Sequence, residues 1–174
     1  MPALLNKSEI GQTLERLARE IAAAEPASNG IALVGIRSRG EILAQRLQHI
    51  LQKNGVTNVD MGALDITLYR DDLNQMGSSQ PTVRTTEIDF SIDDRLIVLV
   101  DDVLNTGRSV RSALDALVDL GRPLAIRLAV LIDRGRRELP ISADYVGKVI
   151  KVPINKRVQV YLHEVDDREE VVIE

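Results

Sequence analysis

The sequence predicts an α/β fold in which helices cover both faces of a parallel sheet, and three observations support this prediction. The chain has 174 residues, of which 44% are hydrophobic, so it is the size of one domain and can bury a sizeable core. Short aliphatic runs alternate with amphipathic helical patterns through the first three quarters of the chain, which is typical of parallel sheets. Polar loops follow several of these runs, where parallel sheets bind their ligands. We therefore expect one domain over residues 1–174 with a ligand site at one edge of the sheet.

The first third of the chain is expected to contain two helices with a buried strand between them. Asn6 and Glu9 stand at the spacing of a capping box, and apolar residues follow at helical intervals. Residues 31–36 are a short apolar run bounded by turn residues, which predicts a buried strand. Residues 40–54 predict the second helix, because their leucines share one face and Gly55 follows as a stop signal.

The remaining elements continue this alternation around one long polar segment. Residues 59–69 predict a strand, and residues 70–89 have no clear period. Loops of that length in compact domains are usually functional or mobile. A helix is predicted at 109–120, and further strands are predicted at 96–100, 125–132, 145–153, 158–162 and 171–173.

Composition excludes several classes of site. The chain has no Cys, which excludes a disulfide scaffold, a thiolate zinc site and a cysteine nucleophile. The two histidines, His49 and His163, are too few for a His-rich metal centre, and we expect each to be an ordinary core or surface residue. A net charge of -4 argues against general attraction to nucleic acid. No run approaches the roughly 18 apolar residues of a membrane span, so we expect a cytoplasmic protein without a membrane partner.

Residues 101–109 carry the clearest chemistry. Thr106, Gly107 and Ser109 place hydroxyls and free backbone N–H groups at the start of a predicted helix, which is how proteins bind a phosphate. Asp101 and Asp102 would repel a phosphate, but they can accept hydrogen bonds from two neighbouring hydroxyls, as on a ribose. Together these features predict a site for a ribose 5-phosphate.

Two other interpretations of this segment stay open from the residues alone. An Asp pair followed by Thr-Gly can be an Asx turn and a helix cap with no ligand. A phosphoacceptor receiver domain also places acidic residues at strand ends, but it needs them at an earlier strand as well. The chain has Arg37, Ser38 and Arg39 at that earlier position, which predicts a second anion site instead.

The motifs resemble those of the type I phosphoribosyltransferases. Residues 98–109 resemble the family's motif for phosphoribosyl pyrophosphate (PRPP): a hydrophobic strand, two acids and a Thr-Gly phosphate loop. Five further segments, in the same order and spacing, resemble the group that unites pyrimidine operon regulation with uracil phosphoribosyltransferase activity: residues 34–40, 65–72, 133–140, 143–148 and 164–166. The resemblance implies a type I phosphoribosyltransferase fold, in which helices flank a parallel sheet and the terminal segments form a small hood.

The resemblance also implies a role for individual residues. Asp101 and Asp102 would hold the ribose hydroxyls of PRPP, and Arg37, Ser38 and Arg39 would bind its pyrophosphate, the leaving group. Mg²⁺ would be carried by PRPP without a direct protein ligand. The residues implied to surround the 5-phosphate are Asn105, Thr106, Gly107, Arg108 and Ser109.

The implied reaction is displacement of pyrophosphate from PRPP by N1 of uracil, which gives UMP. Arg70, Asp71 and Asp72 would begin a mobile loop that closes over the substrates and excludes water, and Arg70 would join the Asp pair in catalysis. Asp133 and Arg134 would belong to the base-binding region. Catalysis would rest on positioning and electrostatic stabilisation.

The resemblance further implies a homo-dimer or higher oligomer and an RNA partner, since the group's UMP-loaded proteins bind the leader of pyrimidine mRNA and promote attenuation. Arg19, Arg136 and Arg137 are the candidates for an RNA-binding patch. The chain departs from the group at Glu15, whose charge opposes RNA phosphates. Two alternatives to this combined function stay open. One is a catalytically weak nucleotide-sensing RNA-binding attenuator, and the other is a phosphoribosyltransferase for another base.

Overall fold

Two sheets organise the protein, whose computed structural model describes residues 3–25, 30–71 and 85–174. The larger sheet has five parallel strands in the order β3-β2-β4-β5-β6, and the smaller has three antiparallel strands in the order β1-β8-β7. The elements in chain order are β1 (Leu5–Asn6), α1 (Lys7–Ala24), β2 (Ile31–Ile36), α2 (Arg39–Lys53), β3 (Val59–Leu64), β4 (Leu96–Leu104), α3 (Arg108–Leu120), β5 (Ala125–Asp133), β6 (Tyr145–Val149), β7 (Val158–Tyr161), α4 (His163–Asp166) and β8 (Glu170–Ile173).

The strand order of the larger sheet places a ligand crevice between β2 and β4. The chain passes from β2 to β3 on one side and later returns to β4 on the other side of β2. The loops at the carboxyl ends of these two strands therefore leave toward opposite faces of the sheet, and ligands bind in the crevice between such loops. The two predicted anion sites follow β2 and β4.

The core is aliphatic and fills both faces of the sheet. Helices α1 and α2 pack on one face with Leu33 and Val98, whereas α3 packs on the other with Val34 and Leu99. This alternation follows from the two-residue period of a strand. The predicted capping box of α1 is confirmed: the Asn6 side chain accepts from the Glu9 N–H at 3.0 Å, and the Glu9 carboxylate accepts from the Asn6 N–H at 2.8 Å.

The terminal segments form the small hood that the resemblance implied. It consists of β1, β7, β8 and α4, and its residues Leu5, Val160 and Leu162 belong to the same apolar cluster as Leu33 of the larger sheet. The hood is therefore packed on the side of α1 and α2. No helix within the described ranges is long and apolar enough to cross a membrane.

Several predicted boundaries are wrong. β3 ends at Leu64, five residues early, because the Asp65 side chain accepts from the Thr67 N–H at 3.0 Å and turns the chain into a single 3-10 turn, Thr67–Tyr69. β4 runs on to Leu104, because its last residues keep pairing with β5. β6 ends at Val149, four residues short of the predicted end. Of the long polar segment, residues 72–84 lie outside the described residues.

Candidate active site

The crevice between β2 and β4 brings together most of the residues predicted from the sequence. Gly40, in the first turn of α2, lies against the carbonyl of Val100 more closely than a Cβ would allow, so the start of α2 sits beside the end of β4. A cavity of about 300 Å³ opens there. Its lining includes Arg37, Ser38, Arg39, Asp65, Thr67, Arg70, Asp101, Asp102 and Ser109.

The start of α3 forms a separate, smaller cradle. Gly107 has a φ of 92°, a left-handed conformation that favours glycine, and it caps α3 without a side-chain hydrogen bond. A cavity of about 100 Å³ lies above it, lined among others by Asp101, Asn105, Thr106 and Ser109. The first N–H groups of a helix have no partner within the helix and lie at the positive end of its dipole. The cradle therefore has the size and the donors to bind one phosphate group.

The acid pair sits at the end of β4, between the cradle and the larger cavity. Asp101 is 8% exposed and accepts from the Asp102 N–H at 2.9 Å, and Asp102 accepts from the Val103 N–H at 2.8 Å. Burial, and after it the neighbouring Asp102 carboxylate, raises the pKa of Asp101 well above its usual range. The site therefore holds one carboxyl that ionises with difficulty unless hydroxyl donors or a cation approach it.

The two arginines of the predicted pyrophosphate site differ in their partners. Arg37 donates to the Thr85 carbonyl at 2.8 Å and pairs with Glu41 at 3.0 Å, so it ties the segment before β4 to α2. Arg39 pairs with Asp166 of the hood at 2.8 Å, and its buried Nε has no hydrogen-bond partner. Ser38 caps α2 without a side-chain hydrogen bond, and the peptide bond before it is cis.

The predicted substrate loop begins on the surface of α3. Ser112 donates to the Tyr69 carbonyl at 3.0 Å, and the Arg108 guanidinium donates to Asp71 at 2.6 Å. Arg70 lines the larger cavity and also a neighbouring one of about 280 Å³, which Asp71 shares. Asp72 lies outside the described residues, so the closure of this loop stays a prediction.

The predicted base-binding residues stand at the end of β5. The Asp133 carboxylate accepts from the Gly135 N–H at 2.8 Å and from Arg137 at 2.6 Å, so both of its oxygens are engaged. Arg134 is 7% exposed and donates to the Lys156 carbonyl at 3.0 Å. Burial, followed by the charge of Arg136, lowers the pKa of Arg134. The Asp133 carboxylate is therefore engaged within the protein, and base binding at this strand end stays a prediction.

The three arginines predicted to bind RNA do not share one environment. Arg19 is exposed on α1 and Arg136 is half-buried, and neither forms a hydrogen bond or an ion pair with a described residue. Arg137 also bonds two backbone carbonyls, those of Ile141 at 2.7 Å and Asn105 at 2.8 Å. Its guanidinium is therefore engaged within the protein, whereas Arg19 and Arg136 are available to a partner.

Sequence reasoning missed the residues that fix the site from a distance. Thr67 and Asp65 line the larger cavity, and Asp166 holds Arg39 from the other end of the chain. Glu138 pairs with Arg108, the first residue of α3, at 2.7 Å. No local pattern marks these side chains. The segments that contain them were noted only as parts of the resemblance.

A family model and the sequence relatives of this chain both indicate phosphoribosyltransferases. The model of the phosphoribosyl transferase domain family matches residues 3–165. The bifunctional protein PyrR of Pelotomaculum thermopropionicum is 52% identical over 170 residues, which cover 98% of this chain and 93% of that protein. The bifunctional protein PyrR of Thermus aquaticus is 51% identical over 168 residues, or 97% and 92% of the two chains.

Solved structures share the fold at low sequence identity. A hypoxanthine phosphoribosyltransferase from Trypanosoma cruzi superimposes with a TM-score of 0.75 at 22% identity, covering 98% of this chain and 93% of its own. One from Staphylococcus aureus gives a TM-score of 0.72 at 20% identity, covering 98% and 90%. These two similarities concern the architecture alone, and they agree with the larger sheet and hood described above.

Proposed function

This chain belongs to the phosphoribosyl transferase domain family and, within it, to the bifunctional PyrR proteins, and on that premise we propose that it makes UMP and regulates a pyrimidine operon. PyrR proteins combine pyrimidine operon regulation with uracil phosphoribosyltransferase activity. The observation that carries the proposal for this chain is the crevice at the strand switch. There an acid pair lies between a phosphate cradle and an arginine-containing cavity.

The Asp pair and the cradle are proposed to hold the ribose 5-phosphate part of PRPP. The carboxylates of Asp101 and Asp102 accept hydrogen bonds from the ribose hydroxyls. The N–H groups at the start of α3 and the hydroxyls of Thr106 and Ser109 bind the 5-phosphate. These groups lie close together because the acid pair is near the end of β4 and only residues 105–107 separate β4 from α3.

The pyrophosphate of PRPP is proposed to bind at residues 37–39, where Arg39 has a donor without a protein partner. The negative charge of the Asp pair favours a nearby cation, so the crevice fits Mg²⁺ that arrives on PRPP without a direct protein ligand. Within the described ranges, no cluster of three or more acidic or histidine side chains could hold a metal ion by itself. When bound, Mg²⁺ supplies positive charge that offsets the charge on the pyrophosphate.

Catalysis is proposed to rest on position and charge rather than on a general base. The residues of the crevice align the ribose carbon between the attacking N1 of uracil and the departing pyrophosphate. Arg39 and Arg70 face the charge that develops on the leaving group. Closure of the loop that starts at Arg70 excludes water from the reacting carbon. Backbone groups around Asp133 and Arg134 recognise the base.

The direct test is UMP formation by the purified protein from uracil, PRPP and Mg²⁺, with adenine, hypoxanthine and guanine as comparison bases. We expect product with uracil alone. Replacing both acids, Asp101→Asn with Asp102→Asn, is expected to lower turnover at least about a hundredfold, because the ribose loses both charged acceptors.

Asp94→Asn is the matched control, since it makes the same chemical change at the opposite end of β4, where the exposed Asp94 has a φ of 55° that Asn also adopts. Product with a purine base instead of uracil would contradict the proposed substrate. Full turnover in the double variant would contradict the role of the acid pair. If no product formed with any base, the enzyme proposal would fail and the nucleotide-sensing regulator would be the function that stays open.

A further inference from the structure

The side chain of Asp166 connects the hood to the crevice. This residue ends α4, and its Oδ1 accepts from Nη2 of Arg39 at 2.8 Å. Arg39 is the first residue of α2 and lines the cavity that also contains Asp101 and Asp102. A carboxylate from the end of the chain is therefore bonded directly to a residue of the proposed pyrophosphate site.

Asp166 is itself held in place by the backbone of Leu162, four residues earlier. Its Oδ2 accepts from the Leu162 N–H at 2.9 Å, and its own N–H donates to the Leu162 carbonyl at 2.9 Å. Burial alone would raise its pKa, but the bonds from the Leu162 N–H and from Arg39 outweigh that effect and lower the pKa of Asp166. The carboxylate is therefore ionised and fixed at neutral pH.

Arg39 keeps donors for another acceptor. A guanidinium has five N–H donors in a rigid fork, and Asp166 engages the Nη2 end. The buried Nε has no hydrogen-bond partner, and such a buried donor is costly unless a ligand uses it. Arg37 differs, because the Thr85 carbonyl, Glu41 and Glu87 all surround its guanidinium.

A second contact holds α4 against the same face of α2. Arg46 follows Arg39 by seven residues, or about two helical turns, so both project from one side of α2. Arg46 pairs with Glu164 at 2.7 Å and with Glu169 at 2.7 Å. Arg46 therefore anchors α4 away from the cavity, whereas Asp166 bonds to Arg39, which lines the cavity.

We propose that Asp166 is a positioning residue for pyrophosphate: it orients the guanidinium of Arg39 so that the remaining donors meet the leaving group. The inference rests on the proposed function and on the role of Arg39 within it. Asp166 acts through Arg39, so its loss weakens the binding of the pyrophosphate group and leaves the binding of uracil unchanged.

The test is the Asp166→Asn variant, measured by steady-state kinetics, product inhibition and thermal unfolding. In Asp166 the two bonds use different oxygens, Oδ1 for Arg39 and Oδ2 for the Leu162 N–H. Asn places an NH₂ donor at one of these two positions, so that group would face another donor and one of the two bonds is lost. We expect KM for PRPP and the inhibition constant of pyrophosphate each to rise about tenfold, while KM for uracil stays unchanged. Asp166→Glu keeps the charge and is expected to recover part of the loss.

Glu164→Gln is the matched control, because it weakens the anchor of the hood at Arg46 and leaves the Asp166–Arg39 pair in place. We expect it to lower thermal stability without changing the inhibition constant of pyrophosphate. Wild-type constants in Asp166→Asn would overturn the inference. Equal losses for PRPP and uracil would also overturn it, since they would show a general loss of the hood.

Calorimetric titration separates this inference from the proposed function, because binding needs no turnover. Pyrophosphate with Mg²⁺ is titrated into the wild-type protein and into Asp166→Asn. Binding about tenfold weaker in the variant supports the role of Asp166 even if the wild-type protein makes no UMP. Equal binding overturns it even if UMP forms.

Discussion

At the scale of single residues, Asp101 shows a conflict between function and stability. Its carboxyl is buried beside a second carboxyl, and both effects raise its pKa. The folded protein therefore binds a proton at Asp101 more readily than the unfolded chain does. Stability contributed by this group falls as the pH rises from the unfolded pKa through the folded one, so at neutral pH ionised Asp101 opposes folding.

Asp101→Asn is therefore expected to stabilise the free protein while it removes turnover. The amide oxygen can still accept from the Asp102 N–H, and the buried charge disappears. We expect a gain of about 1 kcal/mol, or about 3 °C in the unfolding temperature at pH 7. Differential scanning calorimetry measures the gain.

The gain in Asp101→Asn should shrink at acid pH, where the wild-type carboxyl is already protonated. Asp94→Asn, on the exposed turn before β4, is expected to show no such change. A lower unfolding temperature in Asp101→Asn at pH 7 would contradict this account of Asp101.

The part of the candidate site whose arrangement could be predicted from the sequence is the part that is local in the chain. Asp101 to Ser109 are consecutive residues that run from the end of β4 into the start of α3, so the nearness of the acid pair to the cradle could be derived from the sequence alone. The partners of Arg37 and Arg39 could not be derived, because Thr85 and Asp166 lie 48 and 127 residues away. Contacts at that distance depend on the tertiary fold, which no local pattern encodes.

At the scale of elements, the positions of the strands were predicted well, but the ends of β3, β4 and β6 were not. Apolar runs locate β2, which is buried along its whole length, and β5, whose residues 128–132 are buried and apolar. β3 was predicted too long because Ile66 and Leu68 continue its apolar pattern, whereas the Asp65 side chain ends the strand by bonding to Thr67. Side-chain turn chemistry therefore overrode the hydrophobic pattern.

The hood gives an element-scale prediction that depends on pH. Burial alone would raise the pKa of Glu164, but the hydrogen bond from Arg46, a backbone hydrogen bond and the nearby positive charge of Arg46 together outweigh that effect and lower it. A lowered acid pKa adds stability that is present above the unfolded value of about 4.3 and is lost as the pH falls through the folded one. Glu164→Gln is therefore expected to cost about 1 kcal/mol at neutral pH, after allowance for solvent screening.

The cost of Glu164→Gln should begin to shrink below about pH 4.3 and vanish once the pH is below the lowered pKa of folded Glu164, which unfolding curves at several pH values would measure. Glu20→Gln breaks the exposed pair between Arg16 and Glu20 on α1, and it should leave stability unchanged at every pH. A cost of Glu164→Gln that is constant with pH would show that the Arg46 ion pair does not hold the hood.

At the scale of the whole molecule, an acidic protein must bind anionic partners through local arginines. The net charge is -4, from 22 basic and 26 acidic residues, and PRPP, UMP and RNA are all negatively charged. In the crevice, Arg37, Arg39, Arg70 and Arg108 supply the positive charge. For RNA, the candidate cations Arg19 and Arg136 do not line the cavities of the crevice.

This charge balance predicts a shallow salt dependence for RNA binding. With UMP present, the protein is expected to bind a pyrimidine-operon leader transcript with a slope of log K against log salt of about −2, since each phosphate contact to single-stranded RNA contributes about −0.7. Arg136 makes no ion pair with a described residue, so Arg136→Gln should reduce the slope by about 0.7.

Arg122→Gln is the control for the RNA measurement, because Arg122 is an exposed arginine that precedes β5, at the other end of that strand from Arg136. It should leave the slope unchanged, and a scrambled transcript should bind weakly to every variant. An unchanged slope in Arg136→Gln would remove Arg136 from the interface. Equal binding of leader and scrambled RNA would contradict regulation by this chain, because a protein of net negative charge that recognises a leader must do so through specific contacts rather than general attraction.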